Sequence, residues 1–271
     1  LPVATIMGTR GCVYRCTFCD QFASMGRKFR HRSPKNIVDE IEQNIKKFNA
    51  RDIIFKDSTF TNNEEWVYGI CKEIKDRGIK INWSCNTRVS MVNEKLLRAM
   101  KEAGCYIISF GIEAGTQHVL NLMKKGTKVE QAYTATDLCK KAGIETLGYF
   151  MIGNPGETEQ DALETIKLAK NLALDYAGFG VTIAYPNTEI FHWAVQNNCL
   201  EDKQWYMKEN DIVRVNLWKV ASIILVVILV ILAGIFIYKQ TNKSNKSYSY
   251  DLLQVTDYEF SNTLKILSNN N

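Results

Sequence analysis

The sequence predicts an α/β fold in which six strands form one parallel sheet. Through residues 1–200, short apolar runs of strand composition alternate with longer segments of helical periodicity, a pattern typical of βα units. Glycines stand where several of the helical segments end, directly before the next apolar run. The chain has 271 residues, 46% of them apolar, so it is long enough to bury one sizeable core.

The six runs of strand length are expected to form the sheet, each as the strand of a βα unit. The spacing between these units varies, which excludes a solenoid of regular repeats. They span residues 3–7, 52–56, 80–85, 106–110, 145–152 and 177–184.

Helix boundaries between these strands are marked by their residue types. Ser33 and Pro34 are typical of a helix start, and the segment that follows carries an apolar face formed by Ile37, Ile41, Ile45 and Phe48. Three glycines are expected to end helices in a left-handed conformation, namely Gly78, Gly104 and Gly143.

Polar or cysteine-rich turns follow every predicted strand. The carboxyl ends of parallel strands meet at one edge of the sheet, where α/β barrels build their sites. We therefore expect these turns to form the site. They contain the cysteine cluster after strand 1, Asp57 and Ser58 after strand 2, Asn86 and Arg88 after strand 3, Glu113 after strand 4, residues 154–157 after strand 5 and residues 185–187 after strand 6.

The charge and cysteine content bound the location and the partners of the protein. The formal net charge is +5 and the basic residues are dispersed, so no nucleic-acid partner is expected. Eight cysteines occur in a chain that does not need disulfides for its stability, and residues 1–20 contain no secretory signal. Reduced thiols in the cytosol are the expected state.

Residues 220–238 form an uncharged apolar run that predicts one C-terminal transmembrane helix, since 19 residues at 1.5 Å each span roughly the hydrocarbon core. A buried core helix is the alternative. The predicted organisation is a catalytic core over residues 1–205, a linker over 206–219, the membrane helix, and a polar disordered tail over 239–271. Flanking lysines and arginines are nearly balanced, so charge does not orient the helix.

Cys12, Cys16 and Cys19 lie within eight positions in the stretch GTRGCVYRCTFCDQF. Three thiolates on one loop can bind zinc or an iron–sulfur cluster. A closed zinc site usually takes four ligands in two pairs, and the other five cysteines stand singly, which makes zinc the weaker interpretation. A cubane cluster with three protein thiolates leaves one iron open to a substrate or cofactor.

The CxxxCxxC loop, with Phe18 before its last cysteine, resembles that of the radical S-adenosylmethionine (radical SAM) superfamily, as do GIEAGT after strand 4 and GYFMIGNPGET at strand 5. The resemblance covers roughly residues 1–205 and implies a partial (βα)6 TIM-like barrel. It also implies a [4Fe-4S] cluster whose open iron binds SAM, reductive cleavage of SAM to a 5′-deoxyadenosyl radical, and abstraction of hydrogen from a substrate.

The resemblance also implies roles for individual residues. Cys12, Cys16 and Cys19 would bind the cluster, Phe18 would lie beside the adenine or pack the loop, and Glu113 would bind the ribose. The turn at Gly153 and Gly156 would approach the adenine through its backbone. The chain has KDSTFTNN where the family usually has a GGE motif that binds the SAM amino group. Lys56, Asp57 and Ser58 are therefore no more than candidates for this role. Arg88 is a candidate partner of the SAM carboxylate or a charge at the rim.

The longer phrases RSPKNIVDEIE and LLRAMKEAGCYIISFGIEAGTQ resemble the group with a cobalamin-binding domain, such as anaerobic magnesium-protoporphyrin IX monomethyl ester cyclases and several methyltransferases. The chain departs from this group because it starts on strand 1 without a DxHxxG loop, so cobalamin would have to come from other residues or another chain. The apolar run at 220–238 is a second departure. A lipid, pigment or other small molecule is the expected substrate, and a flavodoxin or ferredoxin the expected reductant.

The resemblance implies a radical SAM enzyme that performs cyclisation, methylation or another oxidation. An oxygen-sensitive cluster is expected to lie in the cytoplasm, with residues 1–218 inside and the tail outside. A catalytically silent, membrane-anchored iron–sulfur or zinc protein is the alternative, although Glu113 and the strand 5 turn argue against it. A zinc-binding interaction module is a third, weaker hypothesis.

Overall fold

The computed structural model describes residues 2–200, which contain eight strands and eight α-helices. The strands are β1 (Val3–Ile6), β2 (Thr9–Arg10), β3 (Arg30–His31), β4 (Asp52–Phe55), β5 (Asn82–Thr87), β6 (Cys105–Glu113), β7 (Glu145–Ile152) and β8 (Tyr176–Val181). The helices are α1 (Gln21–Met25), α2 (Pro34–Phe48), α3 (Glu64–Asp76), α4 (Glu94–Glu102), α5 (Gln117–Leu122), α6 (Val129–Ala142), α7 (Glu159–Asn171) and α8 (Glu189–Gln196). Single 3-10 turns occur at Phe60–Asn62 and Val89–Met91.

The main sheet confirms the predicted α/β class, because its six strands run parallel in the order β1-β4-β5-β6-β7-β8. All six predicted strands are present. Apolar residues of α2, α3, α4, α6 and α7 join those of the sheet in the main hydrophobic cluster, which contains the fully buried Phe55, Trp83 and Phe110. The strand ends that carry the candidate residues therefore share one edge of the sheet.

Local capping explains where the helices begin and end. Ser33 accepts a hydrogen bond from the Asn36 backbone N–H at the start of α2, as predicted. Gly78, Gly104 and Gly143 have φ angles of 62°, 98° and 69°, which confirms the predicted helix stops. The prediction that Phe48 belongs to the apolar face of α2 is wrong. Phe48 is 68% exposed at the last helical position, where the core no longer covers it.

Several predicted boundaries need correction. Glu113 does not follow its strand but is the last residue of β6, and Asn86 lies inside β5. In both cases pairing with the neighbouring strand continues past the apolar run. The short antiparallel pair of β2 and β3 was not predicted, because two-residue strands carry no detectable periodicity.

Within residues 2–200, no helix combines the length and the apolarity needed to cross a membrane. The predicted linker at 206–219, transmembrane helix at 220–238 and polar tail at 239–271 lie outside the described residues.

Candidate active site

The cysteine loop, residues 11–20, is enclosed by the β2–β3 pair and by α1. Strand β2 precedes it, and the return strand β3 pairs Arg30 with Arg10, so both ends of the segment are held together. Gly11 allows this close return: its φ is 88°, and a Cβ there would lie 2.1 Å from the Lys28 carbonyl oxygen. The Cys12 N–H donates to the Gly26 carbonyl at 3.1 Å. The loop is therefore held by contacts within the polypeptide itself.

Two contacts tie the middle of the cysteine loop to distant elements. The Thr17 N–H donates to the Met123 carbonyl at 3.0 Å, and the Thr17 carbonyl accepts from the Ile190 N–H at 3.2 Å. Phe18 is half-buried against the small apolar clusters built by α5 and α8. This packing supports the loop-packing role weighed for Phe18, and its role beside adenine stays a prediction.

Cys12, Cys16 and Cys19 are free thiols that are each partly accessible. Burial raises the pKa of the Cys19 thiol, and the neighbouring Cys16 and Cys12 raise it further. Among residues 2–200, no three Cys, His, Asp or Glu side chains converge as ligands of a single metal ion. A cubane cluster does not require such convergence, since each thiolate binds a different iron.

The other five cysteines lie apart from this loop. Cys71, Cys85, Cys105 and Cys139 are buried in the main core, and Cys199 is half-buried. Burial raises the pKa of Cys71 and of Cys139 to about 12. The prediction that these are mostly buried thiols is confirmed for the four core cysteines.

Arg88 follows β5 directly and reaches the cysteine loop. Its guanidinium carbon lies 3.7 Å from the centre of the Tyr14 ring, one terminal nitrogen lies 3.8 Å from the Cys16 sulfur, and the other donates to the Lys125 carbonyl. The side chain is buried, and its Nε has no hydrogen-bond partner among the described residues. Arg88 is therefore not a charge at the rim; its predicted contact with the SAM carboxylate stays a prediction.

Glu113 and Lys125 form a buried ion pair at the end of β6. The Glu113 Oε1 lies 2.6 Å from the Lys125 Nζ, and the residues are only 7% and 6% exposed. Glu113 has a φ of 70° at a register shift between β6 and β7, a left-handed conformation that non-glycine residues seldom adopt. The Lys125 ammonium also lies 5.8 Å from the Phe18 ring centre. The pair thus connects the strand end to the cysteine loop.

Asp57 and Ser58 both contact the polypeptide around the cysteine loop. The buried Asp57 carboxylate accepts hydrogen bonds from the Gly8 N–H at 3.3 Å and the Thr9 N–H at 2.5 Å. Burial raises the pKa of Asp57, although these hydrogen bonds act to lower it. Ser58 donates to the Gln21 side chain at 2.9 Å. Asp57 therefore has a clear structural contact that was not predicted. The predicted roles of Lys56, Asp57 and Ser58 toward the SAM amino group stay predictions.

The turn after β7 is organised by Glu157. One carboxylate oxygen accepts from the Gly153 N–H at 2.7 Å and the Asn154 N–H at 2.8 Å. Burial raises the pKa of Glu157, although these bonds act in the opposite direction. Gly153 and Gly156 have φ angles of 88° and 82°, which glycine adopts without strain. Their predicted approach to adenine stays a prediction.

Buried polar atoms without hydrogen-bond partners concentrate at the same edge of the sheet. Of the five such side-chain atoms in the described residues, four belong to residues that follow β5, β7 or β8: Arg88 Nε, Asn154 Oδ1, Glu157 Oε1 and Thr182 Oγ1. Native proteins rarely leave buried polar atoms unpaired, so such a concentration is typical of a site for a polar ligand.

Two of the residues that shape the site were not predicted from the sequence, and the role of a third was not. Lys125 stands in a lysine pair that reads as exposed surface, Tyr14 is one of several aromatic residues, and Glu157 was placed only as a turn residue. No local pattern distinguishes Lys125 from Lys124, since their difference in burial comes from contacts with β6.

The residues at this edge fit the two expected cofactors. Three free thiols on one loop could bind a cluster that keeps one iron open. A buried cation, a buried carboxylate and the unpaired polar atoms named above match the charged and hydroxyl groups of SAM. The arrangement can hold an electron carrier next to a polar, charged cofactor.

Comparison with known proteins identifies the family of the chain. The model of the radical SAM superfamily matches residues 6–169. An uncharacterized methyltransferase of Pyrococcus horikoshii is 36% identical over 205 residues, which cover 76% of this chain and 45% of that protein. The anaerobic magnesium-protoporphyrin IX monomethyl ester cyclase of Rubrivivax gelatinosus is 34% identical over 184 residues, which cover 67% of this chain and 33% of the cyclase. The chain spans less than half the length of either relative.

Solved structures share the fold. The radical S-adenosylmethionine methyltransferase TsrM of Kitasatospora setae, solved with tryptophan and a SAM analogue, superposes with a TM-score of 0.66 at 23% identity, covering 73% of this chain and 39% of TsrM. The cobalamin-dependent S-adenosylmethionine radical enzyme OxsB gives a TM-score of 0.57 at 23% identity, covering 72% of this chain and 30% of OxsB. At these identities the likeness establishes the fold.

Proposed function

We propose, from the premise that the chain belongs to the radical SAM superfamily, that it is an enzyme with a [4Fe-4S] cluster at Cys12, Cys16 and Cys19. Members of this family use such a cluster together with SAM. When bound, the two supply reductive cleavage of SAM and a 5′-deoxyadenosyl radical that abstracts hydrogen from the substrate. The observation that carries the proposal is the fixed loop of three free thiols beside the edge where unpaired polar atoms concentrate.

The chain's own part in this reaction is to hold and orient the cofactors. The bonds of Cys12 and Thr17 to the backbone of Gly26, Met123 and Ile190 keep the thiols in place. We assign Glu113 to the ribose hydroxyls, because a buried carboxylate accepts from hydroxyl donors. Lys125 has further N–H donors beyond its bond to Glu113 and is the cation we assign to the SAM carboxylate.

The two relatives above frame the reaction class. One is a methyltransferase by name and the other a cyclase, so we propose that this chain takes part in methylation or cyclisation of a small molecule. OxsB is cobalamin-dependent, and we propose cobalamin as a second cofactor supplied by residues outside those described or by another chain. A reductant such as a flavodoxin or ferredoxin would deliver the electron.

The test is reductive cleavage of SAM by the full chain, purified anaerobically in mild detergent. The protein is reconstituted with iron and sulfide, reduced with dithionite in the presence of SAM, and assayed for 5′-deoxyadenosine by mass spectrometry. Cys16→Ala should abolish the product, while Cys199→Ala, which removes a thiol outside the loop, should not. A reconstituted cluster that yields no 5′-deoxyadenosine, even with cobalamin added, would favour the catalytically silent protein instead.

We also propose that residues 220–238 anchor the enzyme to a membrane with its catalytic part in the cytoplasm. The support is the sequence alone, namely 19 residues without a charge. Alkaline carbonate extraction of membranes should leave the full chain in the pellet, and protease added to intact cells should cleave only the tail. Recovery of the chain in the supernatant would contradict the anchor.

A further inference from the structure

We propose that Arg88 acts on the iron–sulfur cluster through its ligand Cys16: it holds the cysteine loop in place and raises the reduction potential of the bound cluster. The inference rests on the proposed function, because it requires a cluster at Cys12, Cys16 and Cys19. It concerns the electron-transfer step and assigns Arg88 a role different from its predicted contact with SAM.

The first line of evidence is the set of contacts around the guanidinium. One terminal nitrogen lies 3.8 Å from the Cys16 sulfur, within the range of a hydrogen bond to sulfur, and the other donates to the Lys125 carbonyl. The guanidinium plane lies over the Tyr14 ring, with 3.7 Å between the guanidinium carbon and the ring centre. Arg88 thus joins the cysteine loop to the segment that follows α5.

The second line of evidence is burial. Arg88 is 5% exposed, so water screens its charge weakly. No carboxylate forms an ion pair with Arg88 in the described residues, and its hydrogen bonds go to the Cys16 thiol and to the Lys125 carbonyl oxygen. A buried cation without a carboxylate partner is costly unless negative charge is supplied, and a thiolate-bound cluster supplies it.

The consequence for the cluster is electrostatic. Reduction adds one electron, and therefore one negative charge, to the cluster. A nearby positive charge and a hydrogen bond to a ligand sulfur both stabilise the reduced form, which raises the potential. Radical SAM chemistry begins with this electron, so Arg88 would make it easier for a physiological reductant to load the cluster.

The geometry also explains why the residue is arginine. A planar guanidinium can stack on Tyr14 and still direct separate N–H groups to Cys16 and to Lys125. A lysine ammonium has the charge without this fork. The unpaired Arg88 Nε remains available for a further acceptor, such as a cluster sulfide.

The test is a redox titration of the reconstituted full chain without SAM, poised with dithionite and followed by the electron paramagnetic resonance signal of the reduced cluster. Arg88→Gln removes the charge. The matched control is Arg27→Gln, since Arg27 is exposed and donates to the Tyr14 carbonyl of the same loop at 3.0 Å without a sulfur contact. Iron content and circular dichroism verify the cluster and the fold.

We expect Arg88→Gln to lower the reduced-to-oxidised ratio at a fixed potential about tenfold, which is about 59 mV for one electron. Arg27→Gln should keep the wild-type potential. An unchanged potential in Arg88→Gln would overturn the proposal, as would a shift seen only after SAM is added, because that result would assign Arg88 to SAM. Wild-type protein that forms no cluster would instead refute the proposed function itself.

Arg88→Lys is measured instead if Arg88→Gln does not fold or does not bind the cluster. The ammonium keeps the charge but loses the fork, so a retained cluster with a smaller shift in the same direction is the expected result. A wild-type potential in Arg88→Lys would overturn the proposal, because loss of the fork to Cys16 and Lys125 would then have no effect on the cluster.

Discussion

The carboxylate of Glu113 lies 2.6 Å from the ammonium of Lys125, and both residues are buried at the carboxyl end of β6. Glu113 is held there in a left-handed conformation at a register shift, while Lys125 comes from the turn after α5. Paired charges can be buried at tolerable cost, but either one alone cannot. This relationship makes the pair sensitive to any change in one partner.

The first prediction concerns the charge of Lys125. Lys125→Met leaves Glu113 buried and unpaired, so the free energy of unfolding should fall by about 3–5 kcal/mol in urea titrations at pH 7. The matched control is Lys124→Met, since Lys124 pairs with Glu189 at 2.5 Å on the exposed surface. That change should cost less than about 1 kcal/mol. Equal losses in the two variants would show that the burial of the pair does not matter.

The second prediction concerns the space around the pair. A Cβ at Gly111 would lie 2.4 Å from Glu113 Oε1 and 2.8 Å from Lys125 Nζ, so Gly111→Ala should displace both side chains. We expect a loss of about 1–3 kcal/mol in stability and about tenfold weaker SAM binding, the equivalent of about 1.4 kcal/mol, by calorimetry on reconstituted protein. Gly180→Ala is the control, because a Cβ at Gly180 in β8 meets no atom within 4 Å. Unchanged SAM affinity in Gly111→Ala would show that Glu113 and Lys125 do not bind SAM.

The third prediction concerns pH. Burial raises the pKa of Asp52, whose Oδ2 accepts a hydrogen bond from the Tyr106 hydroxyl at 2.8 Å. A raised carboxyl pKa means that the folded state prefers the protonated form. The stability this adds is present in acid, below the ordinary pKa of an aspartate, and is lost as pH rises through the raised value.

Tyr106→Phe removes the bond that favours the ionised form of Asp52 and should raise the pKa further. Urea titrations should show a loss of about 1–2 kcal/mol at pH 7.5 and a loss that becomes smaller toward acid pH, as the carboxyl becomes protonated. The half-buried position of Asp52 limits the size of the effect. Tyr133→Phe, an exposed tyrosine on α6, is the control and should show no dependence on pH. A Tyr106→Phe loss that is the same at both pH values would rule out the link to Asp52.

The fourth prediction concerns the turn after β7. Glu157→Ala leaves the N–H groups of Gly153 and Asn154 without their acceptor, so the turn should lose its shape. The free energy of unfolding should fall by about 2–3 kcal/mol, and SAM binding should weaken. Glu159→Ala, at the exposed start of α7, should cost at most about 1 kcal/mol and leave SAM binding unchanged. Wild-type SAM affinity in Glu157→Ala would contradict a role of this turn in the site.

The sequence alone determined the parallel-sheet architecture and the family of this protein. The alternation of apolar runs and helical segments predicted all six strands of the parallel sheet, because burial imposes periods of two and of 3.6 residues that are visible locally. The resemblance of the loop that carries Cys12, Cys16 and Cys19 predicted the family for a similar reason, since all three cysteines lie on one short stretch of the sequence.

Only the tertiary structure decided how the other site residues are used. It brought Arg88 to Cys16 across 72 positions of the chain. It also placed the Asp57 carboxylate where it accepts hydrogen bonds from the backbone of Gly8 and Thr9. It also buried Lys125 while its neighbour Lys124 stayed on the surface. Such contacts depend on the packing of distant segments and on side-chain direction, and these leave no periodic pattern in the residues themselves.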